Sequence, residues 1–440
     1  MSNNQNMHKA KTEKNDEFYT RREDIEKELK NYKDYFKGKT VLCNCDDPFE
    51  SYFFKFFALQ FKNLELKELI TTSYYGSAIK KQDINMFDNG AYKVRIVGES
   101  DDENNIPDFL KKERYNLNDV MKWLEKQKKS FPNGNLNAFA PLETGDFASP
   151  ECVKLLDEAD IVVTNPPFSL FREFVSLLMK HKKQFLIIGN KNAITYKEIF
   201  PLIKENKLWL GYESPQEFMQ PKCAEPKKMN GLTRWFTNLP TKKREEYLDL
   251  FENYSPDKYP MYDNYLAINV DRVSDIPCNE WFIMTVGEDR YNKLKATYGD
   301  DCVLIDGDDV NKQYHIKVRN IVMGVPITFL DKYNPNQFEI VSFRKGDNGE
   351  DLIFTREREN EFNRTFESLY DIDSRSDQEQ GRIDKWEAYI RENNNKKGGL
   401  IKEPIDCFHK SVKDIKGYDR GYVNKKRMYD RIFIRKKPKQ

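Results

Sequence analysis

The 440-residue chain suits roughly three domains of ~150 residues, or one enzyme with insertions. Its 73 Lys plus Arg almost balance 72 Asp plus Glu, which excludes a histone-like polycation or an acidic disordered chain, and 13% aromatics argue for a folded core. Apolar runs such as Phe185 to Ile188 fall far short of the ~18 residues that cross a bilayer, so no membrane association is expected.

Residues 1–15 are polar, lack the apolar stretch of a secretory signal, and are expected to be disordered. Seven cysteines without a CxxC pair read as reduced thiols, which places the protein in the cytoplasm. Four histidines without HExxH or i,i+4 spacing give no metal site. A helix is predicted from Glu17 to Tyr35, ended by Gly38. A strand (Lys39 to Asn44), the turn Asp46-Asp47-Pro48 and a helix (Ser51 to Lys62) open an α/β unit, and a second strand covers Lys67 to Ser73. Residues 76–135 read as an insertion too polar to form a core alone, with a strand at Tyr92 to Val97.

From Leu142 the elements tighten into helix (Ser149 to Glu158), strand (Asp160 to Thr164), helix (Leu170 to Lys180), strand (Gln184 to Gly189), helix (Tyr196 to Lys204) and strand (Lys207 to Gly211). Such alternation implies a doubly wound, mostly parallel sheet covered on both faces, with ligands at the carboxyl ends of its strands. Strands follow at Arg234 to Thr237, Tyr265 to Val270, Trp281 to Val286, Ile321 to Thr328, Phe338 to Phe343 and Ile432 to Arg435, some of which are candidates to complete that sheet. Residues 344–400 are charged and read as part of an exposed insertion.

The sharpest feature is VVTNPPF, Val162 to Phe168, leaving a buried strand. The lone pair of an exocyclic amine on a nucleobase is delocalised into the ring, so a catalyst must accept both N–H bonds to make the nitrogen available. The Asn165 side-chain oxygen and the Pro166 carbonyl are such acceptors, and successive prolines (Pro166, Pro167) stiffen the loop. Phe168 offers a face on which a flipped base stacks. Alone, a Pro-Pro segment is an ordinary turn; here it lies between an apolar strand and a helix, about 120 residues after a strand that ends in two aspartates.

Together, NDEFYTRREDI (Asn15 to Ile25), VLCNCDDPFES (Val41 to Ser51), GDF (Gly145 to Phe147), DIVVTNPPFSLFREFV (Asp160 to Val175), RWFTN (Arg234 to Asn238) and GVPITFLDKYNPNQFEI (Gly324 to Ile340) resemble the EcoRI-type adenine-specific DNA methyltransferases, over most of the chain. The resemblance implies a class I methyltransferase fold, Rossmann-like, with S-adenosyl-L-methionine as cofactor and the catalytic loop at Asn165, Pro166, Pro167 and Phe168. DDPFES looks like the DPFxGxG start of the methionine-binding loop, aligning Asp47, Pro48 and Phe49, while Ser51 and Phe53 stand where glycines are expected. Asp46 or Asp47 is then the partner of the methionine amino group; two aspartates capping the following helix remain the plainer reading. Asn165 also borders the cofactor. Phe18, Tyr19 and Thr20 resemble the segment that closes over the methionine end, and Asp146 the acid beside the cofactor adenine. Thr71-Thr72-Ser73 ends the second strand where an acid usually holds the ribose, leaving Glu99, Asp101 or neither.

For DNA contact, residues 401–440 hold 13 Lys or Arg against 5 Asp or Glu, with Lys425, Lys426 and Arg427 clustered, which suits phosphate neutralisation as well as a solvated tail. Arg234 and Trp235 are candidates to hold the flipped adenine, Trp235 equally a core residue of a hairpin. The domains expected are a disordered N-terminus (1–15), a methyltransferase core (16–270, insertion 76–135) and a target-recognition region (271–440). The function implied is a site-specific DNA adenine N6-methyltransferase acting on double-stranded DNA, as in restriction-modification or self-protection. It is expected to be a monomer, and a cognate restriction endonuclease is left open. A protein-glutamine N5 methyltransferase and a non-catalytic DNA-binding protein of the same fold are the alternatives.

Overall fold

The structure, a computed structural model, describes residues 19–74, 90–131, 137–215, 217–219, 227–228, 231–262, 265–343, 422–423, 426–427 and 431–438. The chain divides into two compact units, 1–242 and 243–440.

The first unit begins with β1 (Tyr19–Thr20) and α1 (Arg22–Leu29). Ile25 and Leu29, four residues apart, bury one helix face. The expected single helix tightens into a 3₁₀ segment over Lys30–Tyr35, where Asn31 Nδ2 donates to the carbonyls of Lys27 and Glu28 and competes with the α-helical ladder. Next come β2 (Thr40–Asn44), α2 (Tyr52–Gln60), β3 (Glu68–Ser73) and β4 (Tyr92–Val97).

The insertion does more than carry one strand. It contains α3 (Asp108–Lys111) and α4 (Leu117–Ser130), the latter started by a capping box between Asn116 and Asp119. Phe109, Val120, Trp123 and Leu124 join the main core beside Phe54 and Phe57. A segment too polar to fold alone thus contributes one apolar face to a core built elsewhere. Beyond it lie β5 (Phe139–Pro141), α5 (Pro150–Glu158), β6 (Ile161–Thr164), α6 (Phe171–Lys180) and β7 (Gln184–Asn190). α7 (Phe200–Lys204) starts later than Tyr196 because Pro201 is accommodated only in a first turn. β8 (Trp209–Leu210), β9 (Glu217–Met219), β10 (Lys227–Lys228) and β11 (Thr233–Thr237) complete the unit.

Eight strands form the main sheet in the order β5-β4-β3-β2-β6-β7-β11-β8. Its centre, β3-β2-β6-β7, is parallel. β4 and β11 run against it, and β5 and β8, antiparallel to those two, realign with the centre. The sheet is mixed, with one reversed strand towards each edge, and the fold is α/β. A separate three-stranded sheet, β1-β9-β10, ties the start of the chain to the hairpin between β8 and β11.

The second unit contains β12 (Ala267–Asn269), β13 (Trp281–Gly287), α8 (Glu288–Tyr298), β14 (Cys302–Asp308), β15 (Gln313–Arg319), β16 (Val322–Pro326), β17 (Phe338–Phe343), β18 (Tyr422–Val423), β19 (Lys426–Arg427) and β20 (Arg431–Lys436). β12-β16-β20-β17 form one sheet and β13-β15-β14 another, so of the later strands expected from sequence only β11 completes the first sheet. The chain's basic end is not simply a solvated tail: β20 pairs with both β16 and β17, and Ile432, Phe433 and Ile434 are fully buried. No helix of the described residues is long and apolar enough to cross a membrane.

Candidate active site

At its carboxyl end, β2 hands the chain to Cys45, whose φ of 78° is unusual for a residue with a Cβ. The turn lets the Asp46 N–H donate to the Thr72 carbonyl at 3.1 Å, while Thr71 Oγ1 donates to the Asp46 carbonyl at 2.5 Å. The main chain of the DDPF loop is therefore pinned to the end of β3. Ser51, standing where a glycine was expected, is the N-cap of α2: its Oγ accepts from the Phe53 N–H at 3.0 Å and donates to Asp46 Oδ1 at 2.7 Å. A serine fits because its side chain serves the loop, and it takes the capping role considered for the aspartates.

Asp46 is buried and faces inward, with Thr164 Oγ1 2.5 Å from its Oδ2. Burial pushes its carboxyl up to about 7, against the hydrogen bonds of Thr164, Ser51 and the Asn165 N–H, and the charge of Asp47 adds to the rise. The Asp47 carboxylate accepts from Tyr92 OH at 3.0 Å and from the Phe49 N–H at 2.9 Å. Pro48 is buried beside it.

Two strand ends meet here. β6 stops at Thr164, and Asn165-Pro166-Pro167 runs extended into a 3₁₀ turn, Phe168–Leu170, that feeds α6. Gly189 in β7 is what allows that seat: a Cβ there would come within 2.4 Å of the Phe171 ring, at the first residue of α6. Pro166 is buried, while Asn165, Pro167 and Phe168 are half-buried. The Phe168 ring is met edge-on by Phe218 of β9, and Thr20 is the Cα partner of Phe218. The N-terminal segment is thereby brought next to the catalytic-loop candidate. Tyr19 shares β1, and Phe18 lies outside the described residues.

Asp146 is half-buried beside the end of β3. Gly145 before it, at φ +66°, lies so close to Ser73 that a Cβ would sit 2.1 Å from its carbonyl. Glu151 holds this loop by accepting from the N–H groups of Glu143, Thr144 and Gly145. Glu99 and Asp101 do not join the site. β4 runs antiparallel to β3 and Val97 pairs with Glu68, so both acids follow the opposite edge of the sheet, roughly 17 Å away at ~3.3 Å per residue.

In this region the buried side chains of Asn44, Thr72 and Thr20 have atoms with no hydrogen bond within the described residues. Asn44 and Thr72 are direct neighbours at the ends of β2 and β3. Buried polar groups are ordinarily satisfied, so these atoms suit a polar ligand at the strand ends.

Arg234 is half-buried at the same edge, its Cα paired with Gly189. Trp235 is fully buried in the core, 5.8 Å from Phe53 between ring centroids. Lys426 and Arg427 form β19, and Lys425 lies outside the described residues. No group of His, Cys, Asp or Glu among the described residues is placed to hold a metal ion.

Tyr92, Thr164, Ser51 and Phe218 were not singled out from sequence as site residues. Ser51 carried a signal, a serine immediately before an apolar helix, and the alternation of Tyr92 to Val97 marked Tyr92 as facing inward. Phe218 carried none, because its neighbour Phe168 is 50 residues away in sequence.

The chain matches the profile of the adenine-specific methyltransferase EcoRI over residues 6–296 and 287–437. It is 39% identical over 367 residues to the type II methyltransferase M.EcoRI of Escherichia coli, covering 79% of this chain and 92% of that one. It is 33% identical over 355 residues to the type II methyltransferase M.MpnI of Mycoplasma pneumoniae (76% and 84% covered), and 32% identical over 355 residues to M.MgeORF184P of Mycoplasma genitalium (76% and 85%). No solved structure matches the chain.

Proposed function

The chain belongs to the family of the adenine-specific methyltransferase EcoRI, and from that premise we propose that it moves a methyl group from S-adenosyl-L-methionine to N6 of a flipped adenine in duplex DNA. It is a site-specific DNA methyltransferase, and the fold assigned to its first unit is the Rossmann-like class I fold. The observation that carries the catalytic assignment is the junction of two loops. Asn165-Pro166-Pro167-Phe168 leaves β6 hydrogen-bonded through Thr164 and Asn165 to the DDPF loop that leaves β2.

When bound, the cofactor supplies an electrophilic methyl group on a sulfonium. The chain's residues do the positioning. Asn165 Oδ1 and the Pro166 carbonyl accept the two N–H bonds of the target amine, and the prolines keep that carbonyl aimed. Phe168 stacks on the flipped base and Phe218 supports it from the side. Asp47, held by Tyr92, faces the methionine amino group, Asp146 the cofactor adenine, and Thr20 with Tyr19 covers the methionine end. Asp46, with both oxygens turned inward, is withdrawn from the cofactor ligands. Asn44 and Thr72, neutral and buried, replace the missing ribose acid. No general base is required, because the methylated amine is acidic enough to lose its proton to water.

DNA is held by Arg234 in the first unit and by Lys425, Lys426 and Arg427 in the second, which serves target recognition. A cognate endonuclease would act on the same sequence without touching this chain, and the protein works as a monomer. The test offers methyl-labelled cofactor together with duplex DNA or a protein extract. Label in DNA is expected; label in protein alone, as a glutamine methyltransferase would give, overturns the assignment.

A further inference from the structure

Asp46 lies at the junction of the two loops and is 3% exposed. Ser51 Oγ donates to its Oδ1, the Asn165 N–H donates to the same carboxyl group, and Thr164 Oγ1 lies 2.5 Å from Oδ2. Thr164 Oγ1 also contacts the Asn44 backbone carbonyl. A hydroxyl has one proton, and a carbonyl only accepts. The Thr164 hydroxyl thus has two oxygen neighbours for one proton, an arrangement that a proton on Asp46 relieves by supplying a second donor.

Burial works in the same direction, raising the carboxyl to about 7. Among the described residues, the titratable neighbours recorded around it are Asp47 on its own loop and Cys43 on β2, whose thiol burial pushes up. From β3 it meets Thr71 and Thr72, from α2 its cap Ser51, and from β6 and the following loop Thr164 and Asn165, none of which titrates.

We propose that Asp46 is a positioning residue for methyl transfer, a protonated carboxyl that bridges the DDPF loop to Thr164 and Asn165 and thereby sets the first acceptor of the NPPF loop. The proposal rests on the catalytic reading of Asn165 given above. Asp46 is then a hinge pin between cofactor loop and catalytic loop, and ionising it loosens Asn165 without removing a cofactor ligand.

The test compares the full-length protein with Asp46→Asn, which keeps a donor for Thr164 and an acceptor for Ser51, and with Asp46→Leu, which keeps neither. Single-turnover methyl transfer to duplex DNA is measured between about pH 5.5 and 9, with thermal unfolding of the cofactor-free proteins over about pH 4 to 7. The wild-type rate is expected to fall as pH rises through about 7, and Asp46→Asn to stay within about fivefold of wild type at neutral pH without that fall. Asp46→Leu should lose about a hundredfold in rate while cofactor KM moves less than about threefold. Because the unfolded carboxyl ionises near ~3.9 while the folded one holds its proton, wild type should lose melting temperature relative to Asp46→Asn as pH rises over this range.

Parallel pH profiles for wild type and Asp46→Asn, or a selective rise in cofactor KM, would overturn the proposal. If Asp46→Leu does not fold, the Asp46→Asn profile and its melting curve still decide. Wild-type protein that methylates no DNA would instead overturn the enzyme assignment, and the unfolding comparison would still report whether Asp46 holds its proton.

Discussion

The ring of Phe218 meets the ring of Phe168 edge-on, at 90° and 6.4 Å between centroids. Two segments far apart in sequence, a short hairpin strand and the NPPF loop, therefore form one aromatic corner. If Phe168 carries the target base, Phe218 fixes the angle of that platform. Phe218→Leu keeps bulk in a fully buried position but removes the edge contact. Its kcat/KM for DNA is expected to fall by about tenfold, equivalent to ~1.4 kcal/mol, with cofactor affinity unchanged by calorimetry. Unaltered kinetics would show that the corner is packing only.

Glu28 makes a second long-range link. Fully buried on α1, it accepts from Tyr32 OH at 2.9 Å and from the N–H groups of Tyr212 and Glu213 at 2.8 and 2.7 Å. Glu28→Leu strands two backbone donors, each costing about 1–3 kcal/mol when buried. Denaturant unfolding should show a loss of at least ~2 kcal/mol, with the slope of the transition little changed.

Removing residues 431–440 takes away β20, an internal strand of the second unit's mixed sheet. The truncated protein is expected to lose the second unit's cooperative unfolding transition in calorimetry and to precipitate on expression, because Ile432, Phe433 and Ile434 leave an apolar gap. A truncated protein that melts like the full chain would contradict this placement.

Phosphate contact is tested without deletion. The double substitution Lys426→Gln and Arg427→Gln removes two positive charges from β19. If both neutralise phosphates, the slope of log K against log salt should become shallower by about 1.8, read by fluorescence titration at several salt concentrations. An unchanged slope would place DNA contact elsewhere.

What was legible in the sequence followed from local pattern. The β2, β6 and β7 strands are continuous buried runs, and the NPPF and DDPF loops sit at the carboxyl ends of two of them, as the alternation of strand and helix implied. What was hidden depended on pairing. Arg234 to Thr237 reads as a strand, but nothing local shows that it reverses direction against β7, or that this alignment turns Trp235 into the core. The helices within residues 76–135 were missed because their apolar residues are spread among charges and are buried in a core shared with Phe54 and Phe57 of α2. The basic C-terminus illustrates the same limit: its charge was visible, but the Arg431 to Lys436 strand within it, buried over its first four residues, acquires meaning only when β16 and β17 lie on either side.

The most direct measurement of the central claim uses methyl-labelled S-adenosyl-L-methionine, duplex DNA and nucleoside analysis, for wild type and Asn165→Ala side by side. Wild type is expected to place the label on N6 of adenine. Asn165→Ala should transfer at least about a hundredfold less, a barrier rise of ~2.7 kcal/mol, while binding cofactor within about threefold by calorimetry. Label on any other base or on protein, or an Asn165→Ala rate within about tenfold of wild type, would contradict the assignment of the Asn165-Pro166-Pro167-Phe168 loop as the catalytic centre.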